Sequence, residues 1–183
     1  MKKILMTLGL LALFIHPLFA TRFTSIGYSN MQKDAYMHDN NEQELHFTDI
    51  EYYKLKFGSH YFPFEEESNN LGWYIDFGVG NSANSIKHTY NGENLDIIYR
   101  SYLINSGVTY GLNNYIILFS GVGVNHSRIE IDGESSNLNS ISIENTFNAN
   151  LGGIFYLGNT KFGVMVEYDT SPEIFTAGFT YRY

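Results

Sequence analysis

Residues 71–80 read LGWYIDFGVG and alternate without a break. Leu71, Trp73, Ile75, Phe77 and Val79 stand on one side, and Gly72, Tyr74, Asp76, Gly78 and Gly80 on the other. A period of two sends successive side chains to opposite faces of a strand. The same pattern returns in 161–168, where Phe162, Val164, Val166 and Tyr168 oppose Lys161, Gly163, Met165 and Glu167. In 146–157, Phe147, Ala149, Leu151, Phe155 and Leu157 oppose Thr146, Asn148, Asn150 and Gly152. The last ten residues set Phe175, Ala177, Phe179, Tyr181 and Tyr183 against Thr176, Gly178, Thr180 and Arg182. No stretch after Thr21 carries a helical period, so the fold is all-β.

Turn residues at 112–114 and 158–160, and a longer connection near 63–70, punctuate these segments. Looser acidic connections fall near 32–43, 83–94, 132–139 and 169–173. The result is eight expected strands: 22–31, 44–58, 71–82, 95–112, 115–131, 140–157, 161–168 and 174–183. Two places resist the pattern. Asp49 and Glu51 share a face with Tyr53, Leu55 and Phe57, which calls for either a position above the hydrocarbon or a bulge. In the first strand Ile26 and Tyr28 read as outward, whereas Phe23 does not fit.

The polar face decides which side is dry. A soluble barrel needs an outer surface rich in Lys, Glu, Asp and Arg, but only 16% of the 183 residues are charged. The polar face here is mainly Gly, Ser, Thr, Asn and Tyr, which suits the crowded interior of a narrow barrel. Aromatic residues gather near strand ends (Trp73, Tyr110, Phe162, Tyr168, Tyr181 and Tyr183), as in interfacial girdles. A strand of about ten residues tilted about 40° crosses an apolar band of roughly 25 Å. The sequence therefore predicts an eight-stranded antiparallel up-and-down transmembrane β-barrel over residues 21–183.

Residues 1–20 are expected to be a cleaved secretory signal peptide. Lys2 and Lys3 precede an apolar run from Ile4 to Ile15, then Pro17, and Ala20 offers a small residue for cleavage. No Cys occurs anywhere, which removes thiol nucleophiles, thiolate metal sites, disulfides and a lipoprotein anchor. Nineteen acidic against eleven basic residues argue against nucleic acid as a partner.

The terminal octapeptide Thr176-Ala177-Gly178-Phe179-Thr180-Tyr181-Arg182-Tyr183 resembles the carboxy-terminal signal of bacterial outer-membrane barrels. That resemblance implies recognition by the barrel assembly machinery through Thr176, Gly178, Tyr181 and Tyr183. With the expected signal peptide and eight alternating strands, residues 21–183 resemble the small outer-membrane proteins of the OmpA/OmpX/Ail type. The resemblance implies a cell outer membrane location and the barrel fold, and little about activity; a monomer is expected.

Some barrels of this size are enzymes acting on lipid A, and the deacylase kind needs a lipid-facing His and Ser two apart on one strand. His126 and Ser127 are adjacent and so point to opposite faces. His38, His46, His60 and His88 show no paired spacing for metal or catalysis. No cofactor and no metal site is expected. The acidic residues Asp34, Asp39, Glu42, Glu93, Asp132, Glu134 and Glu173 form an outer rim without the spacing of a calcium loop, and Glu65, Glu66 and Glu67 keep a periplasmic connection soluble.

An open pore is disfavoured because Tyr74, Met165, Lys54 and Lys56 are expected in the lumen. Lys54, Lys56, Asp76 and Glu167 fall on inward faces, and isolated charges in a packed lumen are costly. They are expected to pair, with Lys54 meeting Asp76 and Glu167 joining across the barrel. Arg100 and Arg128 lie thirteen and fourteen residues from the turn at Asn113-Asn114, so both should emerge outward at one height. Guanidinium groups there could reach lipopolysaccharide phosphates. The sequence thus favours a non-catalytic barrel with a structural or surface-interaction role in the envelope, contacting outer-membrane lipid and lipopolysaccharide. A narrow minor channel is the alternative, and a lipid A-modifying enzyme a more distant one.

Overall fold

The computed structural model describes residues 21–37, 43–60, 70–82, 86–90, 93–132 and 143–183. The expected signal peptide, the 63–69 part of the long connection with Glu65 to Glu67, and Asp39, Glu42 and Glu134 lie outside the described residues. The strands are β1 (Thr21–Met37), β2 (Gln43–His60), β3 (Leu71–Ser82), β4 (Ile86–Tyr90), β5 (Glu93–Asn113), β6 (Ile116–Asp132), β7 (Ile143–Tyr156), β8 (Phe162–Thr170) and β9 (Glu173–Arg182). They form one antiparallel sheet in the order β3-β2-β1-β9-β8-β7-β6-β5-β4, and a further β3–β5 pairing closes it. β3 and β4 share one stave. β3 pairs with β5 as far as Asn81–Arg100, and β4 resumes on β5 at Ile86–Ile97. The barrel therefore has eight staves, as expected from the alternation.

Two expected loops shrink. Residues 86–90, expected within the 83–94 connection, are strand β4 paired to Glu93–Ile97 of β5. Residues 169–173, expected as a loose acidic connection, reduce to Ser171 and Pro172 between β8 and β9, with Thr170 paired to Glu173. Polar side chains hold this corner in place. Asn148 Oδ1 accepts from the Ser171 amide at 2.8 Å, Thr170 Oγ1 accepts from the Ala149 amide at 2.9 Å, and Thr146 and Ser171 bond through their hydroxyls. Similarly, β1 runs to Met37 and β2 begins at Gln43, so Asp34 lies in a strand, as do Glu93, Asp132 and Glu173.

The two irregular places in the sequence each have a geometric cause. Met31 pairs with Ile50 and Lys33 with Phe47, so three steps along β2 match two along β1. Asp49 sits at this bulge with φ 55°, in the left-handed region, and both Asp49 and Glu51 face outward. Phe23 misfits because it belongs to the interior: it is fully buried, while Ile26 and Tyr28 are exposed.

Alternation sorts the barrel into an apolar outside and a mixed inside. Ile104, Val108, Val124, Phe147, Leu151, Phe175 and Phe179 all lie outward, Phe179 with 80% of its surface open. A continuous belt of this kind is stable against lipid and not against water. Its borders are aromatic. At the end carrying Thr21 and Tyr183, Phe162 lies tilted against Tyr181 at 5.3 Å and Tyr181 stacks on Tyr183, and at the other end Tyr168 and Phe175 lie 4.7 Å apart. No helix among the described residues is long and apolar enough to cross a membrane. Strands make the crossing, and the chain is a transmembrane barrel.

The seam between β1 and β9, the first and last strands in sequence, relies on small residues. Gly27 and Gly178 are paired, and a Cβ on Gly178 would come within 2.2 Å of the Ile26 carbonyl oxygen and 2.7 Å of the Gly27 Cα. Gly178 thus has a packing reason to be Gly, independent of the terminal signal expected from the sequence.

Candidate functional sites inside and outside the barrel

Two groupings of charge stand out, one in the lumen and one on the outer wall. The inner one begins with register. Lys56 on β2 is directly opposite Asp76 on β3, and Lys54, two residues on, points inward one step higher. Lys56 Nζ donates to Asp76 Oδ2 at 2.8 Å and to Glu167 Oε1 at 3.1 Å. Lys54 Nζ donates to Glu167 Oε1 and Asp169 Oδ2, each at 2.8 Å, and stands 3.4 Å from Asp76 Oδ2. All four expected interior charges come together. The nearest partner of Asp76 is Lys56, with Lys54 second, because the register aligns 56 with 76.

Amides and aromatic rings complete this layer. Asp169 accepts from Asn105 Nδ2 at 3.1 Å and Asn148 Nδ2 at 2.8 Å. Asn150 Nδ2 donates to Glu167 Oε1, and its Oδ1 accepts from the Tyr74 hydroxyl at 2.6 Å. The Lys56 ammonium also lies 3.9 Å from the ring centres of both Tyr74 and Phe119. Such contact adds attraction that a desolvated cation retains.

Apolar and aromatic side chains close the lumen on both sides of the charged layer. Toward the termini lie Phe23, Tyr74, Ile117, Phe119, Ile154 and Tyr156. Toward the opposite end lie Ile50, Tyr52, Tyr99 and Leu103, all buried. Inward glycines make room for the rings: a Cβ on Gly78 or Gly80 would lie 2.6 or 2.5 Å from the nearest atom of Tyr52. The charged layer is therefore enclosed, as a narrow eight-stranded barrel filled by its own side chains requires.

On the outer wall, β5 and β6 pair Arg100 directly with Arg128. Both emerge outward because their neighbours Tyr99, Ser101, Ser127 and Ile129 are buried inward. Glu130 braces the pair, accepting from Arg100 Nε at 3.2 Å and from a terminal nitrogen of Arg128. One row below stand Tyr102 and His126, with His126 Nδ1 2.7 Å from Asn145 Oδ1. One row further are the apolar Ile104 and Val124. The rows thus pass from hydrocarbon-like to amphipathic to charged, as a membrane boundary does.

Ser127 is buried inward while His126 faces outward, so the two are not brought together. His60 is buried between the rings of Phe23 and Tyr156, while the side chains of His46 and His88 lie outside the described ones and His38 outside the described residues. At the carboxyl terminus, Thr176 is buried inward, whereas Tyr181 and Tyr183 face outward beside Phe162.

No known protein family and no curated protein matches this sequence. Solved structures do. Ail, the attachment invasion locus protein of Yersinia pestis, superposes with a TM-score of 0.64 at 16% identity, covering 91% of this chain and 100% of Ail. Ail in complex with the heparin analogue sucrose octasulfate gives 0.63 at the same identity and coverage. The outer membrane protein Ail in a phospholipid bilayer nanodisc gives 0.55 at 16% identity, covering 90% of this chain and 99% of that one. The chain has the fold of a small outer-membrane barrel.

Proposed function

We propose that this protein is a non-catalytic, integral barrel of the bacterial outer membrane, sealed along its lumen and acting through its outer surface. The observation that carries this reading is the enclosed Lys54–Lys56–Asp76–Glu167–Asp169 layer. Breaking a buried pair leaves an uncompensated charge, which costs about 3–5 kcal/mol. A solute would have to disrupt several such contacts at once to pass. The separation of His126 from Ser127 supports the non-catalytic part, since a nucleophile and its base must lie within hydrogen-bond reach.

In this reading the end bearing Thr21 and Tyr183 is periplasmic, with the short turns at 114–115 and 157–161, and the longer strands project outward. Thr176, Gly178, Tyr181 and Tyr183 serve as the assembly signal. Arg100 and Arg128 grip lipopolysaccharide phosphates, with acyl chains against the Ile104–Val124 row. Charge-assisted, bidentate contact is what Arg offers such groups. The test is planar-bilayer conductance of the refolded protein. A silent bilayer is expected. Steady, reproducible single-channel steps would replace this reading with the narrow-channel one.

A further inference from the structure

The enclosed layer holds more acid than base. Lys54 and Lys56 supply two ammonium groups, while Asp76, Glu167 and Asp169 supply three carboxyl groups, none more than 2% exposed. Among the described residues, the other strands facing the layer add no compensating charge. β5 and β7 present the amides of Asn105, Asn148 and Asn150, and the adjacent titratable groups are the phenols of Tyr52 and Tyr74, neutral at neutral pH. β1, β6 and β9 bring to it hydroxyls, glycines and the ring of Phe119, while the inward cation of β9, Arg182, stands at the rim over Tyr156 and donates to the Thr160 and Asn114 carbonyls. Three ionised carboxylates would leave one negative charge uncompensated in an interior closed to water. Buried groups in that position are neutralised instead.

Hydrogen bonding tells the three carboxyls apart. Both oxygens of Asp169 are occupied, Oδ1 by two amide donors and Oδ2 by Lys54, as an ionised carboxylate requires. Asp76 and Glu167 differ. Asp76 Oδ2 and Glu167 Oε1 take all the donors, sharing both ammonium groups and the Asn150 amide. Asp76 Oδ1 and Glu167 Oε2 are buried and accept nothing. A carboxyl that keeps a proton has one oxygen turned into a hydroxyl, so the two groups with an oxygen outside the ammonium network, and not Asp169, are the ones that can take the proton. Two carboxyls crowded onto the same pair of cations are also the arrangement in which one proton is retained between them.

We infer that the lumen binds one proton, held by Asp76 and Glu167 as a carboxyl–carboxylate pair, so that the charged layer is neutral as a whole. The proton is taken from solvent as the strands close, and no other group changes. A neutral layer draws no mobile counter-ion into the barrel. The inference rests on the lumen being shut to bulk water, as the sealed-barrel reading has it.

Infrared spectroscopy of the refolded protein in lipid at neutral pH tests this directly. The carbonyl stretch of a protonated carboxyl, shifting in heavy water, is expected in the unaltered protein. It should be lost in Glu167→Gln and in Asp76→Asn, since each leaves two carboxylates for two ammonium groups, and kept in the outer-wall variant Glu130→Gln. Absence of the band from the unaltered, non-conducting barrel overturns the inference without touching the sealed-lumen reading. Persistence of the band in both lumen variants overturns it as well. Single-channel steps together with the intact band would replace the sealed-lumen reading while supporting the proton.

Discussion

Lys54 and Lys56 inside the barrel carry the same charge as Arg100 and Arg128 outside it, yet the two pairs are held in opposite ways. Each inner ammonium is fully buried and touches at least two carboxyls at 2.8–3.4 Å. Among the described residues the outer guanidiniums share a single carboxylate, Glu130, and their side chains keep 40% and 37% of their surface open. Desolvated charges must find complete partners within the protein. Boundary charges can leave donors free for something outside it. Residue type follows: Lys is a compact point charge that several acids can surround, and Arg is a flat fork that meets a phosphate with two parallel bonds. The same positive charge therefore locks the structure in one place and remains available for contact in the other.

The contrast can be broken from the inside first. Lys54→Met keeps the volume and removes the cation that touches all three acids, so a loss of about 3–5 kcal/mol is expected in unfolding from lipid. A loss under about 1 kcal/mol would mean that water solvates the layer. A charge on the lipid-facing wall is the next largest effect. Val166 is exposed on β8 between Gly153 and Ala177, and Val166→Arg should cost about 2–4 kcal/mol near the bilayer midplane. Unchanged stability there would contradict the lipid-facing assignment. The smallest stability effect belongs to the outer pair. Replacing Arg100 and Arg128 together by Gln should change stability by no more than about 1 kcal/mol, as partly exposed ion pairs do. The same variant should lose lipopolysaccharide on co-purification. Full retention of lipopolysaccharide would remove the phosphate role and leave two arginines that merely reach the interface.

What the sequence made legible was set by how uniform each environment is. Lipid demands apolar side chains at every outward position, so 71–80, 161–168 and 174–183 announce their strands and their faces. The lumen demands only that groups fit and find partners, and it accepts Phe23, Lys54, Gly78 and Asn150 alike. Phe23 is accordingly opaque until the apolar lower lumen is seen. Strand β4 escapes notice because IKHTY is short and alternates weakly, and its pairing with β5 alone makes it a strand.

The opposed arginines were within reach of counting because the hairpin turn anchors the register. Their one-residue difference in distance from the turn is absorbed by the irregularity between Gly111 and Asn113. The lumen partners were less accessible. Asp169 continues the inward series Gly163, Met165, Glu167, but its place beside Ser171-Pro172 reads as loop. Asn148 and Asn150 read as inward yet carry no sign of the carboxyls they serve, since those stand on other strands. Which Lys meets Asp76 depends on the β2–β3 register across a long connection, and no local pattern encodes that.

A double-mutant cycle on Lys56 and Asp76 tests the locked lumen most directly. The two side chains are paired in register, 2.8 Å apart and buried. Lys56→Ala, Asp76→Ala and the double variant, unfolded from the same lipid, should show a coupling in the upper part of the range of about 0.5–3 kcal/mol found for residues in contact. Losses that simply add would mean the charges are separately solvated, and the barrel would have no electrostatic lock.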